Sequence, residues 1–129
     1  ESCDPIVMLH GWADTADTFQ FLADAFERDW PLAAFDWRGF GRTEWAPGGY
    51  WFPDYFADLE VLLDLLCPHG PARLVGHSMG GNVALWYAGT RPARLRALVE
   101  EIKRTRVGRD RGAKPGTTIP ELIKAGRRY

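Results

Sequence analysis

The chain has 129 residues, nearly half of them apolar and 17 aromatic, with 16 basic against 17 acidic side chains. That is enough apolar material for one buried core and excludes global disorder. A net charge of −1 gives no whole-chain electrostatic case for nucleic acid or an acidic partner. The balance is uneven along the chain, however. Residues 1–100 carry 7 basic and 14 acidic side chains and residues 101–129 carry 9 and 3, which predicts a core domain over 1–100 followed by a basic tail.

In chain order, "PIVML" (5–9) is an apolar run closed by His10-Gly11 and reads as a buried strand. In "TADTFQFLADAFERD" the residues Phe19, Leu22, Ala23 and Phe26 recur at helical spacing, with Asp17 or Thr18 available as a cap. "PLAAFD" (31–36) is a second buried strand. A glycine- and proline-punctuated stretch, "WRGFGRTEWAPGGYWFPD", follows it. Residues 54–67 form the clearest amphipathic helix, with Phe56, Leu59, Leu62, Leu63 and Leu66 on one stripe. "ARLVGH" is a third strand, "MGGNVALWYAGT" a helix ended by Pro92, and "LRALVEEI" (95–102) a fourth strand. Strands alternating with helices imply a parallel α/β sheet with right-handed crossovers.

The stretch that carries chemistry is Gly76-His77-Ser78-Met79-Gly80, a G-x-S-x-G that follows a strand and opens a helix. A serine raised on so sharp a turn needs an unfavourable backbone conformation and neighbours without side chains. Its hydroxyl then stands above the strand ends at a helix N-terminus, where dipoles favour developing negative charge. Upstream, a strand ending in His10-Gly11 brings the N–H of Trp12 beside the serine. With the N–H of Met79 it would form an oxyanion hole. His10 itself reads as a loop brace rather than a proton carrier.

"PIVMLHGW", "FDWRGFGRTEW", "YFADLEVLLDLL" and "RLVGHSMGGNVALWYAGTRPARLRALV" together resemble the α/β-hydrolase superfamily, in its order and over most of residues 5–99. The resemblance implies a parallel sheet of that type, incomplete at about four strands, with helices on both faces. The second strand here would lie outside the first. It also implies Ser78 as nucleophile, Trp12 and Met79 as oxyanion donors, and an ester or related small-molecule carbonyl substrate, with no cofactor and no metal. Arg38 would brace the loop after the second strand. The aromatics Trp37, Phe40, Trp45, Tyr50, Trp51 and Phe52 read as core and loop packing.

A serine hydroxyl needs a base, and the base needs an orienting acid. No histidine follows Ser78; the three in the chain are His10, His69 and His77. Glu100 and Glu101 are the candidates for the acid, against the plainer reading of a solvated pair at a strand end. Three readings follow: a truncated remnant of a serine hydrolase, a non-catalytic binding domain of the same fold, or a slow hydrolase of activated esters. A sheet of four strands leaves an edge of unpaired backbone groups, so a homodimer or a complementary chain is expected to cover it. The basic tail shows neither a periodic basic face nor interleaved aromatics, which argues against nucleic acid. Cys3 and Cys67 lack metal-ligand spacing and predict free thiols. With no apolar run of membrane-spanning length and no secretory leader, a cytoplasmic protein without a membrane partner is expected.

Overall fold

The structure, a computed structural model, describes residues 5–101, with side chains through Leu98. Four short strands form one parallel sheet: β1 (Ile6–Leu9), β2 (Leu32–Phe35), β3 (Ala72–His77) and β4 (Leu95–Glu101). Their spatial order is β2-β1-β3-β4, so the second strand does lie outside the first. β1 pairs with β2 from Ile6 opposite Leu32 to Leu9 opposite Phe35, and with β3 from Ile6 opposite Arg73 to Leu9 opposite Gly76. The register between β3 and β4 shifts between Ala72 and Arg73, then runs to His77 opposite Glu101.

The central strands are apolar on both faces because both faces are covered. Alternation along β1 sends Val7 and Leu9 to one side and Ile6 and Met8 to the other. On the first side lie α2 (Phe52–Leu66) and α3 (Met79–Thr90), with Trp37, Tyr55, Leu59, Leu63, Leu74, Val83 and Tyr87 in one large cluster. On the second side Phe19 and Val75 join Ile6 and Met8, flanked by half-buried Leu22, Phe26, Trp30 and Leu32.

The element bounds differ from expectation in one instructive place. The segment after β1 is a 3-10 turn (Ala16–Phe19) leading into α1, only Gln20–Asp24. Neither Asp17 nor Thr18 caps it. Thr15 holds the cap position without a side-chain bond, and the Asp14 carboxylate instead accepts from the Thr15 N–H at 2.8 Å and from the Thr18 hydroxyl. The chain reaches this geometry through Ala13, whose φ of +56° turns it sharply after Trp12. α2 begins two residues earlier than the periodicity predicts, because Pro53 occupies its first turn, where its missing N–H costs nothing.

Among the described residues no helix is long and apolar enough to cross a membrane. Cys67 is a buried thiol in the large cluster, whereas Cys3 and the tail beyond Glu101 lie outside the described residues.

Candidate active site

β3 runs directly into α3 through Ser78, and the turn has the strained backbone that the motif demands. Ser78 has φ +53° and ψ −115°, a combination outside the ordinary regions for a residue with a side chain. The flanking glycines show why the turn needs them. A Cβ on Gly76 would lie 2.6 Å from the Cα of Gly81, and one on Gly80 would strike the carbonyl of Leu9 at the end of β1. The elbow is therefore pressed against both its own helix and the neighbouring strand. Ser78 itself is exposed, while Met79, Gly80 and Gly81 are buried behind it.

The loop after β1 stands against this turn. A Cβ on Gly11 would sit 3.2 Å from the Cβ of Ser78 and 3.1 Å from Nδ1 of His77. Trp12 is the next residue, and its side chain is 60% exposed. His10 is fully buried, with both ring nitrogens engaged: Nδ1 bonds the Gly11 carbonyl at 2.7 Å, and Nε2 accepts the Trp37 N–H at 3.0 Å. A carbonyl can only accept and an N–H can only donate, so the ring is neutral with its proton on Nδ1. Trp37 returns the bond, its indole N–H donating to the His10 carbonyl at 2.9 Å. His10 is thus a brace joining the ends of β1 and β2, as its position beside glycine suggested.

The loop after β2 is fixed from several directions. Asp36 accepts the N–H of Ala16 at 2.7 Å and of Arg42 at 2.9 Å. Burial alone would raise its pKa, but these two bonds, helped by the charge of Arg42, bring it net below the ordinary carboxylate value. Arg38 forms a two-pronged pair with Asp58 at 2.7 and 2.6 Å and reaches Asp54 at 3.3 Å, tying this loop to α2. The brace expected of Arg38 is what the structure shows.

The aromatic residues divide in a way the sequence did not anticipate. Trp37 is buried and Phe40 packs against the large cluster, as expected. Trp45 and Trp51 are instead 81% and 68% exposed, and Tyr50 and Phe52 are also exposed. Packing is therefore corrected for Trp45 and Trp51, whereas the Tyr50 ring lies against Gly39 of the loop. Phe52 does stack on Trp86 of α3, with ring centres 5.9 Å apart.

The acid candidates lie at the end of β4, Glu100 opposite Gly76 and Glu101 opposite His77, one strand from the elbow. Their side chains fall outside the described residues. His77 follows the alternation of β3 onto the side of the 3-10 turn, where it neighbours Gly11 and Asp14. His69 precedes β3 and so lies at the opposite end of the strand from Ser78. Asp14 went unnoticed in the sequence. Burial would raise its pKa, but bonds from Thr18 and Thr15 leave it net lowered. A separate groove of about 510 Å³ lies between the end of β2, residues 43–47 and α2. Phe35, Leu62 and Leu65 line it, and it does not include Ser78.

Comparison with known proteins agrees with this geometry. Residues 4–99 match the family model described as the alpha/beta hydrolase fold. A serine hydrolase-like protein of Danio rerio is 37% identical over 97 residues, covering 74% of this chain and 29% of that protein. The pimeloyl-[acyl-carrier protein] methyl ester esterase of Neisseria meningitidis serogroup A is 28% identical over 121 residues, covering 92% and 36%. Among solved structures, a marine microorganism esterase superposes with a TM-score of 0.68 at 25% identity, over 78% of this chain and 38% of that one. The chain spans about a third of the length of these relatives.

Proposed function

The chain belongs to the α/β-hydrolase family, and we propose that it carries the nucleophile half of a serine hydrolase acting on an ester or related carbonyl compound. The observation that carries this reading is the backbone of Ser78: a strained, exposed serine between glycines that cannot be substituted without collision. Strain of this kind persists only where the surroundings enforce it, and it concentrates at reacting groups.

In the proposed step Ser78 Oγ attacks the carbonyl carbon, and the carbonyl oxygen takes up negative charge as the π bond opens. The N–H groups of Met79, at the start of α3, and of Trp12 receive that oxygen. The brace by His10 supports the second donor. Its bond to the Gly11 carbonyl turns that oxygen inward, and across a trans peptide the following N–H points the opposite way. The helix N-terminus adds its dipole.

Water takes the proton from Ser78 Oγ, since His10 cannot serve while Nε2 is held by Trp37, and as the tetrahedral species collapses the leaving group departs with the electron pair of its bond to the carbonyl carbon. The reading therefore limits this chain to strongly activated acyl or phosphoryl compounds, with a rate gain of roughly 10³-fold over water from oxyanion stabilisation and binding. The locked His10 equally favours a second reading, a binding domain that keeps the elbow without turnover.

A fluorophosphonate probe separates the two. Covalent labelling of the folded chain that disappears in Ser78→Ala is expected. Absence of labelling in a chain that circular dichroism shows to be folded refutes the hydrolase reading and leaves the binding domain.

A further inference from the structure

The groove between β2 and α2 is a feature that the elbow and its loops leave unused. Phe35 and Leu62 form its floor, both packed on the edge of the large cluster. Val61 and Leu65 line it from α2, four residues apart on one helix face, yet they are 62% and 72% exposed. Its polar lining is unbalanced, with Asp36, Glu44 and Asp58 against Arg38 alone. Arg38 is already committed to Asp58 and Asp54, and the Glu44 side chain has no partner among the described residues. Such a groove suits an occupant that is apolar along one part and cationic along another, and it repels anions.

The chain holds one segment of that description. Beyond residue 102 the apolar cluster is Ile119, Leu122 and Ile123, and Lys124, Arg127 and Arg128 follow it directly. We propose that residues 119–128 of this same chain dock in the groove. The aliphatic side chains cover Phe35, Leu62 and Leu65, and the cations face Glu44 and Asp36. The uneven charge then has a cause, since the basic excess of residues 101–129 answers the acidic excess of residues 1–100. The distance is easily covered. β2 lies three strand spacings from β4, roughly 14 Å, and parallel strands end on the same side of the sheet. Residues 102–118 can span up to about 56 Å when extended. The core of a second copy carries the same acidic excess and would be repelled, whereas a tethered segment meets the groove at high effective concentration. The docking holds whether or not Ser78 reacts.

Two measurements on the full chain test this. The first is carbodiimide cross-linking, which joins a carboxylate to a lysine with no spacer, in an equal mixture of 15N-labelled and unlabelled chains. Lys124 is expected to link to Glu44, with both partners of one isotope. Links that mix the isotopes place the segment on a second copy and overturn the proposal. So does the absence of any link from Lys124 to Asp36, Glu44 or Asp58. The second is amide hydrogen exchange over residues 119–128. Leu65→Asp, a change at an exposed position of the groove, should speed that exchange about tenfold, and Leu122→Asp should do the same. Leu85→Asp, at an exposed position of α3 outside the groove, should leave it unchanged. Circular dichroism confirms that each variant is folded. Exchange unaltered by Leu65→Asp, or accelerated equally by Leu85→Asp, overturns the docking.

Discussion

The two faces of the sheet are built differently. Towards α2 and α3, the cluster around Leu9, Leu59, Leu74 and Val83 is fully buried and holds three large aromatic or phenolic rings, Trp37, Tyr55 and Tyr87. Towards the 3-10 turn and α1, only Ile6, Met8, Phe19 and Val75 are buried, and the two side chains that α1 and its end contribute, Leu22 and Phe26, are half-buried. The thick face anchors the elbow, since Met79, Val83 and Ala84 of α3 belong to it. The thin face carries the loop that stands opposite. Ser78 sits at the seam, fixed by the thick side and faced by a loop held by hydrogen bonds from both.

That contrast makes an energetic prediction. Leu59→Ala removes a side chain with no exposure in a close-packed cluster and should cost about 3–4 kcal/mol, transfer and cavity together. Leu22→Ala, on the thin face and already half in water, should cost about 1 kcal/mol. Urea unfolding of both variants measures the difference. Equal losses would mean that the thin face contributes as much to stability as the thick one, and the division drawn above would fall.

The thick face also contains a flaw that sharpens the comparison. The Tyr55 hydroxyl is buried with no hydrogen-bond partner among the described residues, although its ring packs edge-on against Trp37 at 5.6 Å. Burial, with Tyr50 nearby, raises its pKa, so the group stays neutral and protonated. A hydroxyl in that state loses its water without replacement. Tyr55→Phe keeps the ring contacts and removes the orphan, so it should stabilise the chain by about 1 kcal/mol. A loss of stability in thermal unfolding would show that the hydroxyl has a partner in solution.

How much of this was legible in the sequence follows from the range of the interactions involved. The elbow and the positions of the four strands were legible because their causes are local, whereas β2, read as buried, is a half-buried edge strand. Glycine at 76 and 80 answers a steric demand within a few residues, and "PIVML" and "ARLVGH" are apolar on both faces because both are covered. The exposure of Trp45 and Trp51 was not legible, since burial depends on which distant segments come near. The core stripe of α2 was legible in all five of its residues, and only Tyr55 was missed. Tyr55, Leu59 and Leu63 are the buried set, with Phe56, Leu62 and Leu66 flanking, because the sheet and α3 together cover a broad arc of the helix. Asp14 was missed for a related reason. Its value lies in a turn set by the positive φ of Ala13, which alanine does not advertise.

Asp14 gives the last and smallest test, and it belongs to the thin face. Its pKa is lowered in the folded chain, so it adds stability that is present above the unfolded-state pKa and lost as pH falls through the folded value. Asp14→Asn should therefore cost about 1 kcal/mol at neutral pH, the size of a lost cap. The difference from the unsubstituted chain should shrink as pH falls below about 4, where the carboxyl becomes protonated and no longer holds its advantage. Asp36 has a lowered pKa as well, so some acid sensitivity should survive in the variant. Thermal unfolding of both chains across that range gives the result. If the gap between them were independent of pH, the charge of Asp14 would contribute nothing. The loop facing Ser78 would then be held by the His10 brace and the bonds to Asp36 alone.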